Sequence, residues 1–545
     1  MKLKRTVLGP LVVGMVAFFS GGWLLQGSIT GESGVFQRGL LEQVLQRISS
    51  DYVDQRSTDE LYRMAVDGLL RELGDPHTSF MTAEEYNALR VQTTGEYGGL
   101  GIQISVRDGW ITVIAPLPGT PAERAGLMAG DRIIEIEGQS AEGWTDQDAV
   151  SRLRGRPGTA VNITIARTGV DEPVRHTITR EEIHVNSVQA AYMVEPGIGL
   201  ARLSLFSETS TTELRTAITR LRRDGMRGLV LDLRTNPGGL LDQGVSVSDL
   251  FLEQGRPIVE TRSRNPRDNV TFRASTPEVF SGLSVIVLVD EYSASAAEIV
   301  AGALQDHDRA LVLGATTFGK GSVQTLFPLS GGNFLKMTTG RWYTPAGRSI
   351  QRDRERNGDP AALLEDRGIS LDGQPVPNPE AVDTTVRRPY RTSGGRIVYG
   401  GGGIVPDLVV RPDTLTAVER EFFAAVSKAG NRFFDVAFRY GVEYVQQNPR
   451  LQESFEITPA MREEFYRRLV AAGVEVTREQ FDGARRLVDQ RLGNDIALSK
   501  FGQAAAAQRN NRNDAVIRTA VELLRGAPDQ QALFAQAQVR ARASR

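Results

Sequence analysis

The sequence lacks cysteine altogether and has only four histidines, which are His77, His176, His184 and His307. The absence of cysteine excludes disulfide bonds, thiolate zinc sites and a cysteine nucleophile. The histidines form neither an HExxH pattern nor another close pair, so a histidine-based metal site is not expected. No run of five or more like charges occurs and the formal net charge is −2, which gives no indication of a nucleic-acid-binding surface. We therefore expect no metal, no other cofactor and no nucleic-acid partner.

Charge is also missing from one stretch at the N-terminus. Residues 6–25, TVLGPLVVGMVAFFSGGWLL, contain no charged side chain and follow the basic flank MKLKR. This length suits a signal peptide or a single membrane anchor. Because no A-x-A cleavage site follows, we interpret residues 1–28 as a signal peptide or, with preference, an uncleaved inner-membrane anchor. Since the basic end stays in the cytoplasm, the rest of the chain is expected on the periplasmic or extracytoplasmic side of the cell envelope.

The 545 residues have room for several domains, and the apolar pattern changes along the chain. Helical spacing predicts an N-terminal helical segment over 35–92, which either packs on the next domain or forms an arm for a homodimer or higher oligomer. Short alternating stretches such as WITVIAP predict a strand-rich domain with two short helices over 95–185. Residues 187–410 alternate strands with helices, and helical spacing returns over 412–545. The predicted fold class is therefore multidomain α+β with an α/β core.

Turn and capping patterns add local expectations. DPHTSF, residues 75–80, is typical of a turn, and SGG at 330–332 predicts the turn of a β-hairpin. The Gly-, Pro- and Arg-rich stretch 351–403 predicts surface loops. Ser57 with Glu60, and Thr82 with Glu85, have the spacing of capping boxes at helix starts.

The strand-rich domain begins with a glycine-rich loop. The stretches GGLGIQI, PGTPAERAGLMAGDRIIEIEGQ and LRGRPGTAVNITIAR follow one another there and together resemble a PDZ domain. Small residues in such a loop let backbone N–H groups converge on a carboxylate, and a peptide can add as a strand beside the segment that follows. The resemblance assigns peptide binding to Gly99, Leu100, Gly101 and Ile102. A glycine-rich β-turn without a ligand is the alternative.

A serine stands at the mouth of a predicted helix in EYSASAAEIVAGAL, directly after the apolar run LSVIVLV. The positive end of a helix favours an alkoxide or an oxyanion near Ser295, but serine is a weak nucleophile and needs a base. His307, beyond the helix, has the setting of a solvated loop histidine. Lys320 in TFGKGSVQ is the better candidate, because flanking glycines let the backbone enclose it and burial favours the neutral amine that a base requires.

These stretches carry a second resemblance. EYSASAAEI, TFGKGSVQ, LDLRTNPGGLL and KMTTGRWYTPAGRSIQ, within a span from LGDPHTSF to GGIVPDLVV, closely resemble the carboxy-terminal processing peptidases, also called tail-specific proteases. The resemblance implies a crotonase/ClpP-like core that cleaves exported proteins near their C-terminus with a Ser–Lys dyad. It identifies Ser295 as the nucleophile, Lys320 as the general base and Gln324 as the residue that orients the lysine. Positions 320 and 324 share one face of a strand, so both side chains can enter one cleft.

The neighbouring residues receive supporting roles. An oxyanion hole needs two backbone donors, which we assign to Ala296 and to Gly238 or Gly239 in NPGG. Ser293 then shapes the turn, and Glu298 holds the helix start or the substrate loop. In some members of the family an arginine in the motif matching LRGRPGT couples peptide binding to the dyad; here it is Arg154, which is either that regulatory residue or a solvated turn residue.

The expected partners are protein or peptide substrates with free C-termini, which the PDZ domain would capture. A catalytically inactive PDZ scaffold of the cell envelope is the alternative of a different class. The joint presence of Ser295, Lys320 and Gln324 favours the enzyme, because a scaffold does not need all three.

Overall fold

The computed structural model describes residues 39–352 and 387–543. The predicted signal peptide or anchor over 1–28 lies outside the described residues, as does the part 353–386 of the predicted surface loops. In the described remainder of 351–403 the prediction of loops is wrong in part, because Pro389–Arg391 and Ile397–Tyr399 pair as antiparallel strands. Among the helices of the described ranges, none has both the length and the hydropathy to cross a bilayer. The described residues divide into two units, of which the first combines residues 39–86 with 324–338 and the second holds the other described residues.

Helices and strands are numbered here along the chain. The helices are α1 39–51, α2 Thr58–Glu72, α3 Ala83–Thr94, α4 Pro121–Arg124, α5 Asp146–Leu153, α6 Ser210–Arg223, α7 Leu241–Asp249, α8 Ala296–Asp306, α9 Ala417–Lys428, α10 Arg432–Gln447, α11 Pro459–Ala471, α12 Arg478–Gly483, α13 Arg485–Asn511, α14 Ala515–Gly526 and α15 Gln530–Ala543. The strands are β1 Ser79–Met81, β2 Glu96–Gly99, β3 Ile102–Arg107, β4 Trp110–Pro116, β5 Arg132–Ile136, β6 Gln139–Ser140, β7 Ala160–Ala166, β8 Val174–Thr179, β9 Glu181–His184, β10 Val188–Glu195, β11 Ile198–Leu203, β12 Gly228–Asp232, β13 Pro257–Ser263, β14 Val270–Arg273, β15 Ser284–Val289, β16 Leu311–Gly314, β17 Ser322–Pro328, β18 Phe334–Tyr343, β19 Pro389–Arg391, β20 Ile397–Tyr399 and β21 Leu408–Val409.

The first unit combines N-terminal helices with a β-hairpin. The Ser57 side chain accepts from the N–H of Glu60 at the start of α2, as the spacing predicts. The predicted hairpin is confirmed, because β17 pairs with β18 across a short 3₁₀ turn. The prediction of a turn over all of 75–80 is wrong at its end, since β1 pairs antiparallel with β18. The turn itself ends at Thr78, whose hydroxyl donates to the Asp75 carboxylate.

The strand-rich domain over 95–185 has the predicted strands and the two predicted short helices, α4 and α5. Its main sheet has the order β3-β4-β5-β7-β8, with β6 on β5, while β2 pairs separately with β9. The alternating pattern of β7 puts Val161, Ile163 and Ile165 into the domain's core. Because β3 lies at the end of the strand order, one side of its backbone has no strand partner among the described residues.

A six-stranded sheet forms the centre of the core domain, in the order β10-β11-β12-β15-β16-β21. All neighbours run parallel except β10, which is antiparallel to β11. Every residue of β12 and β15 is buried, as is typical of parallel strands covered on both faces. Helices α6, α7 and α8 cover one face with side chains such as Ile218, Val247 and Val300.

The other face of this sheet is covered from the C-terminal region. Ile517, Ala520 and Leu524 of α14 and Leu533 of α15 pack against strand residues that include Ile286. The helical character of 412–545 agrees with the apolar spacing. The spacing does not reveal that the last two helices complete the core of a domain that begins more than 300 residues earlier.

The remaining C-terminal helices, α9 to α13, form a bundle with its own aromatic core. Helix α10 also packs against the strand-rich domain. There Ile114 contacts Phe438 and Val442, and Arg107 forms an ion pair of 2.6 Å with Asp435. The strand-rich domain is thus in contact with the C-terminal bundle.

Candidate active site

Ser295 lies at the turn between the buried strand β15 and helix α8. Its φ of 54° and ψ of −116° are in a region that non-glycine residues rarely adopt, and such conformations persist only where surrounding structure enforces them. The residue is half-buried. Ser293, the competing serine, is fully buried and its hydroxyl donates to the carbonyl of Leu233 at 2.8 Å.

Lys320 lies between two buried glycines just before β17. Its carbonyl oxygen accepts from the indole N–H of Trp342 at 3.1 Å, and the carbonyl of Gly321 accepts from the Trp342 backbone N–H at 2.9 Å. Gly319 has a φ of 88°, and a Cβ there would lie 2.9 Å from Cβ of Arg352 and 3.0 Å from the backbone nitrogen of Gly403. The glycine therefore permits the close backbone packing that fixes the path of the chain at Lys320.

One buried carboxylate connects the two turns. Oε2 of Glu298 accepts from the backbone N–H of Ser295 at 2.8 Å and from the backbone N–H of Lys320 at 2.9 Å. Oε1 accepts from the N–H of Gly319 at 2.7 Å and from the hydroxyl of Thr317. Burial raises the pKa of the Glu298 carboxyl group, whereas these four hydrogen bonds act in the opposite direction. The backbone nitrogens of Ser295 and Lys320 are therefore less than two hydrogen-bond lengths apart.

The NPGG turn lies against Ser295. A Cβ placed on Gly238, whose φ is 94°, would lie 2.7 Å from Cβ of Ser295 and 2.9 Å from the backbone nitrogen of Ala296. The N–H of Gly238 donates to the side-chain oxygen of Asn236 at 2.8 Å. Within the described ranges, the N–H groups of Ala296 and Gly239 have no acceptor.

Two other residues were considered from the sequence, His307 and Gln324. His307 lies far from Ser295, and Gln324 belongs to the other unit. His307 caps the C-terminal end of α8, and its Nε2 contacts the carbonyl of Pro257 at 2.7 Å. Because α8 has 11 residues, roughly 16 Å of helix separates His307 from Ser295, so it cannot act as the base. Gln324 is on β17, four residues after Lys320, and belongs to the first unit.

In the strand-rich domain, the predicted peptide-binding residues connect β2 with the edge strand β3. The carbonyl of Leu100 accepts from the N–H of Ala122, and the carbonyl of Gly101 accepts from the N–H of Leu117. Gly101 has a φ of 75°, which glycine adopts without strain. Gly99 ends β2 and Ile102 begins β3, so the loop turns the chain tightly into the open edge.

Arg154 is exposed and caps the end of α5. Its guanidinium lies 4.3 Å from the ring centroid of Tyr97, and the N–H of Gly155 donates to the carbonyl of Gly98. Burial raises the pKa of the Tyr97 phenol, and the nearby Arg154 charge lowers it. The LRGRPGT turn is thus packed beside the glycine-rich loop.

The sequence does not predict that Glu298 is the acceptor shared by both turns. The available signal was its position three residues after Ser295, which is the spacing of a capping box. That spacing gives the bond to Ser295 but contains no information on the bond to Lys320. Among the described residues, no group of three or more His, Cys, Asp or Glu side chains is arranged to hold a metal ion.

Comparison with known proteins gives matches in both domains. The model of peptidase family S41 matches residues 197–356, and the model of the PDZ domain matches residues 89–166. The carboxy-terminal-processing protease of Bartonella bacilliformis is 45% identical over 312 residues, which cover 56% of this chain and 71% of that protein. The "Probable CtpA-like serine protease" of Staphylococcus aureus is 33% identical over 350 residues, which cover 64% and 69%. The solved structure of a photosystem II D1 C-terminal processing protease is 30% identical and covers 57% of this chain and 89% of that one, with a TM-score of 0.33.

Proposed function

This chain belongs to peptidase family S41 and is a serine-type peptidase of the carboxy-terminal-processing family, and we propose that Ser295 and Lys320 are its nucleophile and general base. The observation that carries the proposal is the single oxygen of Glu298 that accepts from both backbone N–H groups. Because both N–H groups donate to the same oxygen, the backbone at Ser295 lies close to the backbone at Lys320. This closeness supports a site that contains both side chains. His307, the histidine considered as an alternative base, is at the far end of α8 and is too distant for this role.

In the proposed reaction the neutral amine of Lys320 takes the proton from the Ser295 hydroxyl as its oxygen attacks the substrate carbonyl. The amine then returns the proton to the leaving peptide nitrogen, and water hydrolyses the acyl-enzyme by the same route. Gln324 would orient the lysine. A lysine base must be unprotonated, so we expect activity to rise from neutral to alkaline pH.

We assign the oxyanion hole to the N–H groups of Ala296 and Gly239. Neither donates to a described residue, so both are available to the oxygen that becomes negatively charged in the transition state. The N–H of Gly238 already has Asn236 as its acceptor, which favours Gly239 of the two glycines named from the sequence. Gly238 contributes by having no side chain where the turn meets Ser295.

We also propose that the PDZ domain captures the substrate's C-terminus. The unpaired side of β3 supports addition of a peptide strand, and the loop from Gly99 to Ile102 supports binding of the terminal carboxylate at its start. Arg154 lies beside this loop and would carry the response to a bound peptide. A substrate with a free C-terminus should have a lower KM than the same substrate with a C-terminal amide, and Arg154→Ala should reduce that difference.

The dyad is tested with the purified full-length protein, Ser295→Ala and Lys320→Ala. We expect the wild type to cleave an unstructured protein with an apolar C-terminus and both variants to lose about 10⁴-fold or more in kcat. Cleavage by both variants at the wild-type rate would remove the dyad assignment. Absence of cleavage by all three, together with binding of the C-terminal peptide, would indicate the PDZ scaffold instead.

We further propose that residues 1–28 direct the enzyme to the cell envelope and tether it to the inner membrane, on the basis of the basic flank and the uncharged stretch that follows. N-terminal sequencing of the mature protein distinguishes a retained anchor from a cleaved signal peptide. Exposed apolar side chains on α1 and α2, including Leu41 and Leu69, support the homodimer arm. Light scattering of the full-length protein tests it.

A further inference from the structure

We propose that Glu298 is a positioning residue that fixes the nucleophile and the base relative to each other. One of its carboxylate oxygens accepts hydrogen bonds from the backbone N–H groups of both Ser295 and Lys320. The inference rests on the proposed Ser295–Lys320 dyad. It assigns Glu298 a function in the reaction beyond capping α8, although the side chain does not touch the reacting atoms.

The carboxylate of Glu298 is rigidly attached to the core domain. Glu298 is the third residue of α8, whose residues are all buried, and its own side chain has no exposed surface. Closely packed, fully buried helices have little freedom to shift. A carboxylate fixed to such a helix is therefore a stable reference point for any loop that donates to it.

The carboxylate of Glu298 holds both turns that carry the proposed dyad. Ser295 has a strained backbone, and its N–H donates to Oε2, so this bond helps to keep the residue in that conformation. Lys320 is 25 positions later in the chain and follows a separate turn, yet its N–H donates to the same oxygen. Oε1 holds the remainder of that turn through the N–H of Gly319 and the hydroxyl of Thr317.

This arrangement of donors requires a carboxylate rather than an amide. A carboxylate accepts on both oxygens, whereas a glutamine side chain accepts on one atom and donates from the other. In Glu298→Gln, either orientation of the amide sets its NH₂ group against at least one backbone N–H, of Gly319 or of Ser295 and Lys320. The variant should therefore displace one of the two turns even though its shape is nearly unchanged.

A matched control is available in the C-terminal bundle. Glu419 occupies the same third position of a helix, is 3% exposed, and accepts from the backbone N–H of its N-cap residue Thr416 at 2.8 Å. It also accepts from Arg486 and is part of a helix with no role in the proposed chemistry. Glu419→Gln thus removes a buried capping carboxylate without touching the dyad.

The experiment compares full-length wild type, Glu298→Gln and Glu419→Gln. It measures kcat and KM on an unstructured protein substrate and the rate at which a fluorophosphonate labels Ser295. For Glu298→Gln we expect kcat and the labelling rate to fall together by about 100-fold, because small displacements of reacting groups have effects of this size, while KM changes little. Glu419→Gln should lower the melting temperature and leave both rates unchanged.

Equal labelling and equal kcat in folded Glu298→Gln and wild type would overturn the inference and leave Glu298 as a helix cap. If Glu298→Gln does not fold, Glu298→Asp provides the decision, because it keeps the carboxylate but shortens the side chain by one methylene group, so that one oxygen can no longer accept from both Ser295 and Lys320 with the present geometry. We then expect a smaller but measurable loss of labelling, and labelling at the wild-type rate would overturn the inference. Failure of the dyad itself is distinguishable, since Ser295→Ala would then remain active.

Discussion

The turns of Ser295 and Lys320, joined by Glu298 and here called the active-site corner, can be compared with the contact between the PDZ domain and helix α10. The two regions are held together by different kinds of interaction. At the active site, a fully buried carboxylate accepts from three backbone N–H groups and one hydroxyl. The second region, here called the PDZ–α10 contact, consists of Arg107, Ile114, Gly130, Asp435, Phe438 and Val442. It depends on side chains, and its charged pair keeps 19% and 9% of its surface exposed.

This difference indicates how each region can move. Backbone donors cannot rotate away from their acceptor, so the active-site turns separate only if the local structure unfolds. Side chains can change rotamer and release their partners, and small contacts between domains commonly allow relative motion. We therefore expect the dyad to be fixed and the PDZ domain to be the part that moves during substrate capture.

The largest effect is expected for Gly238→Ala, which would disturb the fixed region directly. The new Cβ would meet the carbonyl oxygen of Ala294 at 2.6 Å and Cβ of Ser295 at 2.7 Å, and neither atom can move without shifting the nucleophile. We expect hydrolysis and fluorophosphonate labelling of Ser295 to become undetectable. Thermal unfolding should also show a loss of stability.

Gly225 provides the control for this substitution. Its φ of 93° nearly equals the 94° of Gly238, but a Cβ there would meet no atom within 4 Å. Gly225→Ala therefore carries only the backbone strain, about 1–2 kcal/mol, and should hydrolyse substrate normally. Similar activity in the two variants would mean that the NPGG turn tolerates displacement and that the active-site corner is not rigid.

The next effect in size concerns a buried ion pair of the core domain. The guanidinium of Arg348 has no exposed surface and donates to Asp306 and, at 3.0 Å, to the side-chain oxygen of Gln305. Arg348→Met would leave the Asp306 carboxylate buried without its cation. We expect the free energy of unfolding from urea denaturation to fall by about 3–5 kcal/mol. A loss well under 1 kcal/mol would show that water enters this part of the core.

The residues around Ser295 could be predicted from the sequence because the signal is local. A buried strand, a turn with small residues and a helix follow one another within 25 residues, and each element has its own pattern. The bond between Glu298 and the Lys320 backbone could not be predicted, since it depends on the path of a separate turn. The choice between Gly238 and Gly239 could not be predicted either. No sequence pattern shows that the N–H of Gly238 donates to the side-chain oxygen of Asn236.

Longer-range packing was missed for a related reason. The spacing of apolar residues in α14 predicts a helix with one apolar face. It does not predict which surface of the protein that face packs against. The three-residue strand β1 is too short to have a pattern of its own and exists because β18 supplies its hydrogen bonds. In both cases the structure is decided by partners more than 200 residues away in the sequence.

The smallest effect is expected for Arg107→Met, which removes the Arg107–Asp435 ion pair of the PDZ–α10 contact and leaves the more exposed Arg439–Asp108 pair in place. Nε of Arg107 is buried without a hydrogen-bond partner, and the guanidinium lies 4.7 Å from the ring centroid of Phe438, where a methionine side chain can also pack. Asp435 is in the first turn of α10, so the helix's positive end partly compensates its charge. We expect a loss of about 1–2 kcal/mol in the free energy of unfolding, less than for Arg348→Met because Arg107 is partly exposed, and unchanged labelling of Ser295.

Hydrogen exchange provides the more informative measurement on Arg107→Met. If the PDZ–α10 contact opens without unfolding, amides of β3 and β4 and of α10 should exchange faster in the variant, while those of β12 and β15 keep their wild-type protection. A stability loss as large as that of Arg348→Met, with faster exchange in β12 and β15, would contradict the comparison. The PDZ domain and the protease core would then unfold as one cooperative unit, and movement of the PDZ domain alone could not accompany substrate capture.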